Sequence, residues 1–375
     1  MVSFATWGNQ LYSGERSYNI VGKAKVYLSI CGFLVLASLV LLLTRGLNPS
    51  IEFSGGTQFI VMGSSETSQA VAYDVLAEDG ITENVRVSAL GSDSIRVQTQ
   101  SLTSQETQNL RNDLAEAYDV SPDSVDTNVV GATWSQDVTQ KAAKSIVIFV
   151  ILVSVLITIY FRSWRTSAAA LIALINDLLV TAGFFALTQV EVSPATVIGF
   201  LTILGYSLYD TVVVFDKVRE VAGQYDGQDK YTYGELVNLG VNQTLVRSIN
   251  TSVVALLPVG AILFIGSLLL GAGTLTDISL ALFVGIIVGT FSSIFVGAPI
   301  LALLYQARPK IHEKDEEILA ARAAAKAASS DTDGSDSDDS SQASDQRVSV
   351  SVAAKQPGRH LGQSAQPKRK SRSKK

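Results

Sequence analysis

Cysteine and histidine are almost missing from this chain. Cys31 is the only cysteine, and the two histidines, His312 and His360, both lie outside the apolar segments. No intramolecular disulfide can form, and a buried metal centre is not expected. Cys31 sits in an apolar run and reads as a small apolar residue. Charge is scarce too: Asp, Glu, Lys and Arg make up 17% of the 375 residues, against about a quarter in soluble domains. No G-x-x-x-x-G-K-[ST] phosphate loop occurs. No cofactor is implied, an enzymatic role is not expected, and any energy should come from the membrane gradient or from a separate ATPase partner.

What the chain has is apolar length. Hydrophobic residues make up 47% and gather into long runs. A hydrocarbon core of about 30 Å needs roughly 20 helical residues, so the chain reads as a polytopic α-helical membrane protein with six transmembrane helices. The expected spans are 26–44, 144–161, 167–189, 194–216, 251–272 and 278–305. The first is too long for a signal-peptide core and no small-residue cleavage site follows, so it reads as an uncleaved anchor. Lys23 and Lys25 before it, Arg162 and Arg165, Lys217, Arg219, Lys230, Arg247, Arg308 and Lys310 all fall on one side. The positive-inside rule makes that side cytoplasmic, with both termini there. The net charge of −5 says little beside this asymmetry, because an acidic tail offsets the basic loops.

The expected domains follow: a cytoplasmic segment 1–25, helix 26–45, an extracytoplasmic domain 46–140, a five-helix bundle 141–306, a cytoplasmic helical extension 307–328 and a disordered tail 329–375. The outer domain reads as a strand at 51–62 interrupted by Gly55-Gly56, then a helix at 67–80 with Ala70, Val71, Val75 and Leu76 on one face. A hairpin of 84–90 and 94–100 turns at Gly91-Ser92-Asp93. A helix at 103–118 opens on a Thr103–Glu106 capping box, and a strand at 124–134 closes the unit. The order βαββαβ is ferredoxin-like. In the tail, DTDGSDSDDSSQASD is acidic and serine-rich and PKRKSRSKK is basic, a composition that argues for disorder. The basic end suits anionic lipid or ribosomal RNA, although a solvated tail is the plainer reading and a nucleic-acid partner is not expected.

Polar residues inside the spans are the candidate machinery. Asp210 lies in the fourth span, with Tyr206 and Thr202 at four-residue steps before it, a polar stripe on one helix face. A carboxylate there must face a partner or a watery cavity, which points to proton or ion movement. Asp177, beside Asn176, lies mid-membrane in the third span. Arg247 stands just before the fifth, and if that helix starts near Thr244 the guanidinium reaches inward to Asp210. Such a pair would stabilise the ionised acid and couple its protonation to helix movement. The structural alternatives are hydrogen bonds between helices for the two acids and a positive-inside anchor for Arg247. In the last span Ala281, Gly285, Gly289, Ser293 and Gly297 recur every four residues. This stripe allows close helix contact, as ordinary packing or as a seam that slides.

Several segments together carry a family resemblance: FSGGTQ at 53–58 with Phe53, Gly55 and Gly56, the Asn176-Asp177 pair, GYSLYDTVVVFDKVRE at 205–220, RSINTS at 247–252 and GTFSSIFVGAPI at 289–300. Over 20–306 the chain resembles the SecF branch of the SecD/SecF family, half-transporters of the resistance-nodulation-division type. The resemblance implies a SecD partner giving twelve spans, association with the SecYEG channel and SecA ATPase, and use of the proton-motive force to pull or release preproteins outside the membrane. It also implies that Asp210 is the membrane carboxylate and Arg247 its facing arginine. Where relatives often have a histidine before the third-span acid, this chain has Asn176, which does not ionise. Two other readings are a passive scaffold of the translocation channel and a small-molecule exporter of the same superfamily. The small outer domain, with no apolar binding stretch, argues against the exporter.

Overall fold

The computed structural model describes residues 4–64, 66–82, 85–90, 93–266 and 273–332. Among the described residues six helices are long and apolar enough to cross a membrane: Ala24–Thr44, Ala132–Phe161, Trp164–Thr188, Pro194–Gly227, Tyr233–Ile265 and Leu275–Gln306. The chain-order elements are α1 (Phe4–Ser13), α2 (Ala24–Thr44), β1 (Asn48–Pro49), α3 (Ile51–Ser54), β2 (Gly56–Met62), α4 (Gln69–Glu78), β3 (Arg86–Leu90), β4 (Ser94–Thr99), α5 (Ser104–Ala117) and β5 (Val125–Val130). Then follow α6 (Ala132–Phe161), α7 (Trp164–Thr188), β6 (Glu191–Val192), α8 (Pro194–Ala222), α9 (Tyr233–Ile265), α10 (Gly273–Ser292), a π-helical turn (Ser293–Gly297), α11 (Ala298–Gln306) and α12 (Pro309–Thr332). The turn residues Gly91 and Ser92, residues 271–272 of the outer turn, and the tail beyond Thr332 lie outside the described residues.

Between α2 and α6 the strands β2 to β5 form one antiparallel sheet in the order β3-β4-β2-β5. Counted along the chain this is second, third, first, fourth, which is the ferredoxin-like arrangement that βαββαβ implies. Phe59, Val61, Ile95 and Val97 alternate toward α4 and α5, where Leu76, Leu110 and Leu114 complete a small core. The Thr103–Glu106 capping box is formed, with both reciprocal hydrogen bonds. Three local expectations are corrected. The segment 51–62 is not one interrupted strand: Ile51–Ser54 is a helical turn, and the strand starts only at Gly56. On α4 the buried face uses Ala72 with Leu76, flanked by Val71 and Val75, while Ala70 is exposed. The closing strand stops at Val130, and after Gly131 alone the first long helix of the bundle begins.

Gly55 and Gly56 explain the first correction. Their φ angles are +73° and +130°, where side chains other than glycine are strained. A Cβ on Gly55 would stand 3.3 Å from Ser135 Oγ at the start of α6, and one on Gly56 would run into the Thr99 carbonyl of β4. The pair turns the chain sharply from the membrane edge into the sheet.

The α/β domain is tied to the bundle. β1 pairs in parallel with β6, Asn48 opposite Glu191. Arg96 of β4 forms an ion pair with Glu191, and Gln98 donates to the same carboxylate at 2.6 Å. Burial pulls the Arg96 guanidinium below its usual pKa, against the fields of Asp277 and Glu52.

On the opposite face two further expectations change. Residues 1–25 are not merely a polar lead: α1 packs on α9 with Leu11 fully buried. Asn238 and Asn242 of α9 clasp the backbone that follows, accepting from Ile20 N at 2.8 Å and Tyr18 N at 2.7 Å. The segment 307–328 does not prolong the last span. The chain breaks at Ala307-Arg308, and α12 folds against the ends of α8 and α9. There Asp315 accepts from Tyr225 Oη and Tyr233 N, each at 2.8 Å.

Within the bundle α8 and α10 run parallel and pack closely. Ala281, Gly285 and Gly289 meet Gly199, Ile203 and Ser207 in step, and Gly297 meets Phe215. A Cβ on Gly285 would overlap three atoms of the Ile203 side chain. Gly285→Ala should therefore cost about 1–3 kcal/mol through overpacking. Ile203→Ala removes those same atoms, so the double variant should lose less stability than the sum of the singles. Thermal unfolding of the purified chain in detergent measures both; strict additivity would mean that the two positions do not press on each other.

Candidate functional site

Two carboxylates lie in the interior of the bundle. Asp177 is 1% exposed and Asp210 4%. Deep burial obliges each to find hydrogen-bond donors, and the donors here are mostly hydroxyls. Asp210 Oδ1 accepts from Ser248 Oγ of α9 at 2.7 Å, and Oδ2 from Ser293 Oγ at 2.5 Å, where α10 passes into the π-helical turn. One acid thus joins three helices. Such turns carry an extra residue inside an α-helix and often sit at functional sites. Here the turn opens on the serine that meets the acid.

Asp177 accepts from Ser207 of α8 and, at 3.3 Å, from the amide of its neighbour Asn176. Asn176 also donates to Ser292 Oγ at 3.3 Å. The two acids are therefore linked by close neighbours on two helices: Ser207 and Asp210 along α8, Ser292 and Ser293 along α10. Gly289 makes room for this, since a Cβ there would lie 3.0 Å from Ser207 Cβ and 3.6 Å from Asp177 Oδ2.

Asp210 and Arg247 are not brought together. The helix that carries Arg247 begins at Tyr233, not near Thr244. Neighbours on a helix point about 100° apart, and Ser248 takes the inward position. Arg247 is exposed and lines a cavity of about 990 Å³ with Tyr12, Asp216, Lys217, Glu220 and Gln243. No ion pair among the described residues joins it to either acid.

The stripe Thr202, Tyr206, Asp210 divides. Tyr206 Oη donates to Ser252 Oγ at 3.4 Å, and Ser252 shares a hydrogen bond of 2.6 Å with Thr290. Thr202 is exposed and donates to Ile198 O of its own helix. Cys31 is more than an apolar filler, because its Sγ donates to Asn176 Oδ1 at 3.1 Å and ties α2 to the Asp177 layer. Reading the sequence missed Ser207, Ser248, Ser252, Thr290, Ser292 and Ser293 as donors. A signal was present: Ser248 and Ser252 are four apart, and Thr290 and Ser293 three apart, spacings that put each pair on one helix face.

Residues 110–307 match the family model described as protein export membrane protein SecD/SecF, C-terminal, and residues 40–62 match the SecD/SecF GG motif. A protein translocase subunit SecF of Streptomyces coelicolor is 42% identical over 323 residues, spanning 86% of each chain. A protein translocase subunit SecF of Mycobacterium tuberculosis is 37% identical over 324 residues, spanning 84% of this chain and 73% of that one. Among solved structures, the SecDF translocon-associated membrane protein of Thermus thermophilus superposes with a TM-score of 0.70 at 28% identity. That match covers 79% of this chain and 39% of the solved one, so the chain spans about two fifths of the length of SecDF.

The facing of α9 can be checked chemically. In a Cys31→Ser background, Arg247→Cys should react with a hydrophilic maleimide roughly tenfold faster than Ser248→Cys, because only an accessible thiol is attacked. Mass spectrometry of the intact chain reads the modification. Equal rates would place both positions on the same side of the helix.

Proposed function

Because the chain belongs to the SecD/SecF family of protein export membrane proteins, we propose that it is a proton-driven translocase subunit in which Asp210 takes up and releases the coupling proton. The observation that carries this reading is a buried carboxylate held by two hydroxyls and, among the described residues, by no cation. When the acid is ionised, both serines donate to it. When it is protonated, the carboxyl carries its own donor, so one serine must turn its hydroxyl elsewhere. The change is felt in α9 through Ser248 and in the π-helical turn through Ser293. That is a local protonation event with a helix-level readout.

Asp177 lies one layer away through Ser207 and is the second station. Arg247, next to Ser248 on the outer side of α9, is the movable counter-charge; a roll of α9 would bring it toward the acid. Each proton is worth about 2.3 kcal/mol per 100 mV, so a few suffice to drive a domain movement.

The family's role in protein translocation supports preproteins as the cargo. The basic residues at one end of the bundle support placing that end, with both chain ends, in the cytoplasm and the α/β domain outside. The relative in which the two halves are one SecDF chain supports SecD as partner, in complex with the SecYEG channel and SecA. Polar residues exposed at membrane depth, Thr202 and Tyr209 on α8, suit cover by that second half rather than by lipid.

A second reading has one observation in its favour: Asp210 links three helices and could serve assembly alone. Asp210→Asn separates the two. In cells that depend on this subunit, export of a secreted reporter should fall by roughly tenfold or more, since the drive of a proton is lost, with the chain present at its normal level. Full export would remove Asp210 from the mechanism, and a loss that tracks a lower yield of the assembled complex would leave the scaffold reading.

A further inference from the structure

The face of the bundle opposite the α/β domain holds a cavity of about 680 Å³ that proton transfer does not use. It lies where α6, α8 and α11 end and α7 and α12 begin. Its floor is apolar, with Phe161, Phe215 and Leu301. Its wall carries Arg165, Arg219, Arg308 and Lys310, against a single lining carboxylate, Asp226. None of the four cations forms an ion pair with a described carboxylate. Arg165 and Arg308 lie instead over the rings of Trp164 and Tyr305, 4.9 and 5.2 Å from their centres.

Hydroxyls complete the lining. Tyr305 Oη is 2.8 Å from Ser163 Oγ and 3.1 Å from Thr166 Oγ1. Helix α7 starts at this point, and no side chain caps its first turn. Its free N–H groups and positive dipole end favour an anion.

The surroundings fix the depth. Trp164 and Tyr160 are exposed beside the cavity, and such aromatics settle at the headgroup level of a bilayer. From there α6 presents Leu152, Val155, Leu156 and Ile159 on its exposed side, a surface for acyl chains.

We propose that this cavity binds the phosphate headgroup of an anionic phospholipid, with the acyl chains lying along α6. Basic pockets between transmembrane helices take such headgroups. The acidic run that begins at Asp331 is the competing occupant, but α12 starts at the cavity with Pro309 and carries the chain about 33 Å onward before Asp331 is reached, near the end of that helix.

The test uses the full chain in a neutral detergent, titrated with dioctanoyl phosphatidylglycerol, dioctanoyl phosphatidylcholine or inorganic phosphate and read by native mass spectrometry. Phosphatidylglycerol should bind the wild-type chain roughly tenfold or more tightly than either of the others. In Arg165→Gln/Arg308→Gln its binding should weaken about thirtyfold, the product of two surface cations. Equal binding of the two lipids overturns the proposal without need of any variant. So does phosphate alone binding as well as phosphatidylglycerol, which would mark a free-anion site, and so does unchanged binding in a folded double variant. Neutralising Asp331, Asp333, Asp336, Asp338 and Asp339 to Asn should leave binding unchanged. A rise of tenfold or more would make the tail the occupant and overturn the lipid reading.

Discussion

A carboxylate inside a bilayer must be given donors by its own protein, and the bundle is arranged around that requirement. A serine hydroxyl reaches only a short way from its backbone, so Ser248, Ser293 and Ser207 can serve the two acids only if the helices nearly touch. The small residues on α10 allow that approach. The stripe at Ala281, Gly285 and Gly289 and the hydroxyl pairing of Asp177 and Asp210 are therefore one feature: close backbones make short donors sufficient. Among the described residues no cation forms an ion pair with either acid, so the shell holds no fixed ion pair whose loss of one partner would be the expensive outcome.

A different constraint governs the α/β domain. The α/β domain is bound to the bundle by the Asn48–Glu191 bridge, by the ion pair of Arg96 with Glu191, and by the glycine pair that presses α3 and β2 against the start of α6. The first two meet at Glu191, in the segment between α7 and α8 that leads into the helix carrying Asp210, and the third lies at the start of α6. Packing, not sequence proximity, puts the sheet in touch with the acid-bearing helix.

Much of this was legible in the residues. The spans follow from apolar length, the ferredoxin-like domain from period-two strands and a capping box, and the two acids from the cost of charge in lipid. What could not be read is azimuth and local breaks. Arg247 and Ser248 are adjacent, and which one faces Asp210 depends on the course of α9; its eleven residues before Thr244 pack against α1 and α12. The helical turn at Ile51–Ser54 is set by positive φ at Gly55 and Gly56, which apolar alternation does not encode. Serines were passed over because one serine in a helix is unremarkable, and their importance emerges only when four helices place them around two carboxylates.

Only Gly131 separates the last strand of the four-stranded sheet from α6, which then runs unbroken for 30 residues, about 45 Å at helical rise. Little of that helix is covered by its neighbours within the chain. It is stiff along its length, joined at one end to the β-sheet, and held at the other where Val153, Ile157 and Phe161 are buried against the bundle. A tilt of about ten degrees about that packed end would carry the sheet end through about 8 Å, so a small change of angle at one end becomes a large displacement at the other.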